Sequence, residues 1–304
     1  MLTAGTMPWI GANGAGMGIF GGGATTSGAT ANAYIYQYVS NVIHQTTALG
    51  YAGNQSAIGN KNNAIFASLT QTANSWKYNW GTAAVTTGVT IQQGGIAAVG
   101  IASLAATSAK GYYFFDYYDA SQTGNGYGYS YATDSITNYA SAWGTVFTSI
   151  QSFAAAAGNG VFGNVATGGN GIFAFYTVAY SNNAWATSTA TWPGGPGGAY
   201  LYSAAGNTDV GLFSGYDSSH SVAFMDAYYY ATNSVGAGTL LSYSMTMDNA
   251  ATGNASYGVF AGGSGSLANT SVYTYATAAV ASGTNLPVGA TNLAAATNTN
   301  AGII

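Results

Sequence analysis

The apolar positions of this chain form short runs separated by glycines, and the same pattern recurs along its length. One copy reads Gly253-Asn254-Ala255-Ser256-Tyr257-Gly258-Val259-Phe260-Ala261-Gly262-Gly263. Alignment on the glycine before the apolar pair gives anchors 44 to 51 residues apart by subtraction. This period is typical of repeat architectures. The seven anchors are Gly18, Ala64, Gly111, Gly160, Gly211, Gly258 and Gly302.

Two further sequence features recur with the same period as the anchors. An aromatic residue follows most anchors by 16 to 18 residues, at Tyr36, Trp80, Tyr129, Tyr176, Tyr229 and Tyr275. A Gly-Thr pair followed closely by an apolar residue recurs at Gly5-Thr6, Gly144-Thr145, Gly238-Thr239 and Gly283-Thr284. Gly-Asn pairs suit tight hairpins. Each repeat therefore predicts four short strands: the Gly-apolar-Phe strand, the tyrosine strand, the Gly-Thr strand and an alanine-rich strand near a crowded axis.

Four short strands in about 47 residues predict an all-β fold of the β-propeller class, with residues 1–304 as one domain. Seven blades are preferred because there are seven anchors, and six blades with frayed termini are the alternative. The last copy stops at Gly302-Ile303-Ile304, and Gly5-Thr6-Met7-Pro8-Trp9 supplies the Gly-Thr pair that this copy lacks. We therefore expect one blade to combine a C-terminal strand with N-terminal strands.

A family resemblance rests on the strand that ends in paired glycines. Phe260-Ala261-Gly262-Gly263 and Phe20-Gly21-Gly22-Gly23, each followed by an aromatic strand, resemble kelch-type propeller repeats. The chain resembles more closely the glycine-rich, charge-poor kelch-like repeat proteins of tailed bacteriophages, over about residues 5 to 304. The resemblance implies a propeller from a phage particle. The glycine pair is absent at Ala67-Ser68 and Phe114-Phe115, and no tryptophan recurs at one offset.

Charge is nearly absent from the sequence, which excludes several classes of function. The chain has 3 Lys and no Arg against 7 Asp and no Glu, so charged residues make up 3%. Three lysines cannot form a nucleic-acid surface. The chain has no cysteine, and no apolar run is long enough for a membrane-spanning helix. We expect no nucleic-acid partner, no membrane insertion, no secretory signal at Met1–Gly5, no cofactor and no metal site.

The few ionisable residues also argue against an enzyme. Asp116 and Asp119 lie close in sequence, but in a strand they would point to opposite faces. Asp217-Ser218-Ser219-His220 contains the residue types of a catalytic triad, yet residues so close in one turn rarely reach triad geometry. Both segments are interpreted as turns.

Aromatic residues are the remaining candidates for binding, since 25 tyrosines exceed what strand packing requires. Tyrosine and asparagine on an uncharged surface suit contacts with sugars and with proteins. The predicted binding surface combines the aromatic clusters with a proline-glycine loop. Its residues are Tyr117, Tyr118, Tyr127, Pro193 and Pro196.

Two functions follow as expectations, and the fold does not decide between them. The first is a non-enzymatic structural protein of a phage virion, exposed on the tail or another surface and mediating attachment or assembly. Its partners would be other virion proteins and a host glycan or protein. The alternative is a secreted, lectin-like propeller that binds glycans. An enzyme is the least supported class, because ionisable groups are so scarce.

Overall fold

The computed structural model describes the β-strands and turns of most of the repeat region. The described residues are 16–68, 74–91, 100–105, 110–116, 125–138, 150–155, 159–165, 173–179, 181–182, 184–191, 199–217, 222–243 and 249–298. These residues form strands, turns and loops, and no helix occurs among them. The predicted all-β class is confirmed.

Twenty-six strands lie in the described residues. In chain order they are β1 (Met17–Gly21), β2 (Ala24–Thr25), β3 (Gly28–Ala29), β4 (Ala33–Gln37), β5 (Val42–Gln45), β6 (Gln55–Gly59), β7 (Asn63–Ser68), β8 (Ser75–Asn79), β9 (Val85–Thr87), β10 (Gly100–Ala105), β11 (Lys110–Asp116), β12 (Asn125–Ser130), β13 (Ser135–Asn138), β14 (Ile150–Ala155), β15 (Asn159–Val165), β16 (Phe173–Ala179), β17 (Ala184–Thr191), β18 (Ala199–Gly206), β19 (Val210–Asp217), β20 (Val222–Tyr229), β21 (Ser234–Ala237), β22 (Ala250–Gly253), β23 (Tyr257–Ala261), β24 (Thr270–Thr274), β25 (Ala279–Ser282) and β26 (Ala294–Thr297).

Five four-stranded antiparallel sheets are each built from one continuous stretch of chain, and a further one combines both ends. We call the combined sheet blade I, with the order β26-β1-β4-β5. The continuous sheets are blade II (β6–β9), blade III (β10–β13), blade IV (β14–β17), blade V (β18–β21) and blade VI (β22–β25). The first strand of each blade contacts the first strand of the next, and β26 lies between β22 and β6. The described strands therefore form a closed β-propeller, as predicted.

An asparagine holds the turn between the first and second strands of several blades. In blade VI, the side-chain oxygen of Asn254 accepts hydrogen bonds from the backbone N–H groups of Ser256 and Tyr257, both at 2.8 Å. The backbone N–H of Asn254 donates to the Tyr257 carbonyl at 2.9 Å. The equivalent bonds are made in blades II and V by Asn60 and Asn207. The predicted Gly-Asn turns are confirmed in all three blades.

The same asparagine geometry closes the ring between the chain ends. The side-chain oxygen of Asn298 accepts a hydrogen bond from the Met17 N–H at 2.6 Å, and the Asn298 N–H donates to the Met17 carbonyl at 2.9 Å. Strands β26 and β1 pair antiparallel, with Gly18 opposite Thr297. The closure is thus a blade turn whose two sides come from opposite ends of the sequence.

The preferred number of seven blades is wrong. The seventh anchor copy supplies β26, and this strand pairs with β1 of the first anchor copy, so two anchors share one blade. Pairing with β26 gives hydrogen-bond partners to the edge of β1 that would otherwise be unpaired. The prediction of one blade from both termini is confirmed, although Gly5–Trp9 and Gly302–Ile304, which the sequence suggested for this closure, lie outside the described residues.

Close packing explains why glycine recurs at the anchors. The anchor is the second residue of the second strand, and the tyrosine that directly follows the third strand lies over it in blades I, III and VI. A Cβ on Gly18 would lie 2.7 Å from the hydroxyl oxygen of Tyr38, which is too close. The packing recurs at 2.9 Å for Gly111 with Tyr131 and at 3.1 Å for Gly258 with Tyr275. The anchor glycines therefore make room for tyrosines between blades.

The recurring Gly-Thr pairs within the described residues are not strands, contrary to the sequence prediction. Gly238 and Gly283 follow the outermost strands of their blades and begin the connections to the next blades. The hydroxyl of Thr239 donates to the Ala278 carbonyl of the next blade at 2.7 Å. The hydroxyl of Thr284 donates to the Asn41 carbonyl in the same way. These threonines link adjacent blades near their outer edges, which explains why the pair recurs.

The buried tyrosine hydroxyls give a matched stability test. Tyr38 hydrogen-bonds Thr252 at 2.7 Å and Thr297 at 3.2 Å, whereas no hydrogen bond reaches the buried Tyr275 hydroxyl within the described residues. We expect Tyr38→Phe to lower the free energy of unfolding by about 1–2 kcal/mol, because it removes two buried hydrogen bonds. Tyr275→Phe should leave stability unchanged or raise it. Urea unfolding measures both, and equal losses would contradict the assignment.

Candidate binding site

The two ends of the ring carry different segments of the chain. Because successive strands of a blade run antiparallel, the connections between blades and the loops between second and third strands emerge at one end. We call this end the connection face. The turns that join first to second strands and third to fourth strands emerge at the other end, the turn face. Connecting loops on a rigid scaffold are where binding residues usually lie.

Blade I carries an additional two-stranded hairpin on the connection face, formed by β2 and β3. Backbone hydrogen bonds fix its base to the neighbouring connection, from Gly23 N–H to the Gly53 carbonyl at 2.7 Å and from Gly53 N–H to the Thr30 carbonyl at 3.1 Å. On its other side, Ala24 and Thr291 exchange two hydrogen bonds of 2.8 and 2.9 Å. The hairpin is therefore anchored to the connections before and after blade I.

Two glycines allow the hairpin base to approach its neighbours. Gly22 and Gly23 have φ values of +72° and +78°, which favour glycine. A Cβ on Gly22 would lie 2.8 Å from both the Gly53 carbonyl oxygen and the Gln55 side-chain nitrogen. Close backbone contact of this kind makes the surface rigid before any ligand arrives.

A stacked aromatic pair lies beside the hairpin. Tyr51, from the connection between blades I and II, stacks on Trp76 of β8, with ring centroids 5.5 Å apart and an interplanar angle of 20°. Gly50 lies against the indole, since a Cβ there would be 1.7 Å from the Trp76 ring nitrogen. Both aromatic side chains are partly exposed. We call residues 22–32, residues 49–55 and Trp76 the platform.

A buried amide lies under the platform. Gln55, at the start of the innermost strand β6, is 6% exposed, and its side-chain N–H donates to the Tyr51 carbonyl at 2.8 Å. Its side-chain oxygen is buried and accepts no hydrogen bond within the described part of the chain. This amide holds the backbone that carries Tyr51, and it leaves one acceptor unused beside the site.

The platform surface is uncharged and rich in hydroxyl groups. Thr26, Ser27 and Asn54 are exposed on it, and the hydroxyl of Thr25 accepts the Ser27 N–H at 3.1 Å to shape the hairpin tip. The nearest charged side chain in sequence, Lys77, alternates to the opposite face of β8 and pairs with Asp134 of blade III at 3.4 Å. The platform can therefore bind by stacking and neutral hydrogen bonds.

One predicted binding residue is wrong, and the others lie outside the described residues. Tyr127 is 5% exposed and packs in a core cluster with Ile58, Ile65 and Tyr129, so it is a core residue. It belongs to the row Tyr127, Tyr129 and Tyr131, whose period of two places all three rings on one face of the third strand. Tyr117, Tyr118, Pro193 and Pro196 are not among the residues that the structure describes.

A carboxyl group is buried between blades IV and V. Asp226 is 6% exposed, lies opposite Phe213 in the sheet, and shares its strand face with Phe224 and Tyr228. Burial raises the pKa of the Asp226 carboxyl from 3.8 to about 7. The corresponding strand position is an aromatic residue in blades I to III: Tyr34, Trp76 and Tyr127. The row is therefore mostly aromatic, and its polar members are Asp226 in blade V and Ser271 in blade VI.

No group of three or more His, Cys, Asp or Glu side chains with metal-binding geometry occurs among the described residues. Nor does that part of the chain contain a helix long and apolar enough to cross a membrane.

Comparison with known proteins supports the fold alone. No protein-family model and no curated protein sequence matches the chain. Among solved structures, TolB from Acinetobacter baumannii is similar, with a TM-score of 0.62 and 9% identity over 94% of this chain and 67% of that one. A chain of a nidogen/laminin complex is similar, with a TM-score of 0.57 and 8% identity over 94% of this chain and 99% of that one. The kelch-like resemblance stays a prediction.

Proposed function

We propose that this propeller is a non-enzymatic structural protein of a tailed-phage particle, exposed on the tail or another surface and mediating attachment or assembly. Its partners are other virion proteins and a glycan or protein of the host surface. The phage setting rests on the resemblance of the glycine-paired repeats. The binding role rests on the platform of blade I.

The preorganised platform is the observation that carries the binding role. Backbone hydrogen bonds from the connections before and after blade I fix the β2–β3 hairpin. The platform exposes aromatic, hydroxyl and amide groups. Asp134, Asp226 and Asp209 all lie away from the platform. Asp134 pairs with Lys77, Asp226 is buried between blades, and Asp209 lies in a turn on the turn face, two residues after Asn207. Such a surface suits recognition rather than proton transfer.

The alternative function is a secreted glycan-binding propeller, which the Tyr51–Trp76 stack favours. Fractionating a producing culture separates the two functions. In the first case the protein sediments with purified particles, and antibodies to the folded protein label them in electron micrographs. Protein that remains free in the supernatant and never sediments with particles would overturn the particle role and support the alternative.

Binding to the host surface or to particle proteins should depend weakly on salt. The chain carries 3 basic and 7 acidic residues, so little Coulomb attraction is available for salt to screen. We expect the Kd to change by less than about threefold between roughly 50 and 200 mM salt. Surface plasmon resonance with immobilised host envelope measures this dependence. A loss of about a hundredfold would place the interface on charged groups instead.

A further inference from the structure

We infer that the platform is a binding site for a neutral glycan, in which a sugar ring packs on the outer face of the stacked Tyr51–Trp76 pair. This inference rests on the attachment role proposed above and names the site and the chemical class of the ligand. The site is a rigid surface around one stacked aromatic pair.

The stacked rings suit a sugar because the C–H groups of one pyranose face are apolar and lie flat on an aromatic ring. Tyr51 lies in a connection held by backbone hydrogen bonds, and Gly50 packs against the Trp76 indole. Neither ring has to be ordered on binding, so little conformational entropy is lost. Aromatic pairs elsewhere, such as Tyr36 with Tyr38, involve buried strand residues.

The platform also exposes uncharged polar groups that can form hydrogen bonds with the hydroxyl groups of a sugar. Thr26 and Ser27 on the hairpin and Asn54 beside Tyr51 are exposed donors and acceptors without charge. Uncharged hydroxyl and amide groups favour a neutral glycan over a sialylated or sulfated one, which requires cationic partners.

The side-chain oxygen of Gln55 is a buried hydrogen-bond acceptor close to the two rings. The side-chain oxygen of Gln55 accepts no hydrogen bond among the described residues, although Gln55 is 6% exposed and its nitrogen holds the Tyr51 carbonyl. A buried acceptor without a partner is costly. Because this oxygen is itself buried, a water that bridges it to a sugar hydroxyl, rather than the sugar directly, would satisfy it.

The test is binding of the full chain to an array of neutral hexose and N-acetylhexosamine oligosaccharides, beside sialylated, sulfated and proline-rich peptide probes. Calorimetry with the best neutral oligosaccharide then compares variants. Tyr51→Ala and Trp76→Ala should each weaken binding at least tenfold, and Tyr51→Phe should weaken it less than threefold. The control is Tyr229→Ala, which removes a ring that is 46% exposed outside the platform and should leave the affinity unchanged.

Three outcomes would overturn the inference. These are no binding to any neutral oligosaccharide at millimolar concentration, binding that Tyr51→Ala leaves intact while circular dichroism shows a folded chain, and preference for charged glycans or proline-rich peptide. Tyr51 lies in a connection rather than a strand, so its variants separate binding from folding. A protein that sediments with particles but binds no neutral oligosaccharide would retain the proposed function and lose this inference.

Discussion

A chain that ends at Leu293 should be unfolded at 25 °C. The deletion removes β26, so β1 loses the partner strand that places Gly18 opposite Thr297. It also removes Ala294 and Ala296, which are buried in the cluster between blades I and II. Because the ring opens, the expected loss is at least about 5 kcal/mol, comparable to the total stability of many domains. Circular dichroism and urea unfolding measure the change.

A chain that ends at Asn300 is the matched control for this deletion. It keeps β26 and the hydrogen bonds between Asn298 and Met17. We expect it to unfold cooperatively, and a loss of stability would show that residues 301–304 also contribute, as the sequence suggested. If the chain that ends at Leu293 melts at the same temperature as the full chain, the ring is not closed by β26.

The protein should lose stability as pH rises from about 4 to 7, and Asp226→Asn should abolish most of this loss. The folded Asp226 carboxyl has a pKa of about 7 against 3.8 in a solvated state. In that window the unfolded chain is ionised while the folded chain holds the proton, so each rise in pH favours unfolding. Three pKa units correspond to an upper limit of about 4 kcal/mol. Above about pH 7 the loss is complete.

Asp209→Asn is the control for this titration, since Asp209 is an exposed residue in the turn that Asn207 holds. Urea unfolding at several pH values should give Asp226→Asn a growing advantage over the original protein and leave Asp209→Asn parallel to it. A constant difference between Asp226→Asn and the original protein would mean that the carboxyl is solvated or paired.

The parts of the fold that depend on nearby residues could be predicted from the sequence. The Gly-Asn pairs specify turns because an asparagine bonds the backbone two and three residues later. The number of blades could not be obtained by counting anchors. The number of blades depends on whether β26, the strand before Asn298, pairs with β1 or belongs to a blade of its own. The pairing with β1 is a contact between residues from opposite ends of the sequence.

The candidate site was missed for the same reason. Tyr51 and Trp76 lie 25 residues apart by subtraction and meet only because the connection from blade I to the first strand of blade II passes beside the third strand of blade II. Tyr127 was misjudged because the density of tyrosines was weighed above their period of two, which places Tyr127 with Tyr129 in the core. Aligning the third strands would have shown Asp226 at a position that is aromatic in blades I to IV, although its burial depends on the neighbouring blade.

The closure by β26 also sets the order in which the protein can be completed during synthesis. Met17 and Asn298 are 281 residues apart, so the edge of β1 waits for its partner until the residues between them have been made. At about 5 to 20 residues per second this delay is roughly 15 to 55 seconds. Throughout it, β1 presents an apolar, uncharged edge of the kind that pairs with other chains. β1 can therefore pair with another chain before β26 has been made, and slow translation should increase aggregation.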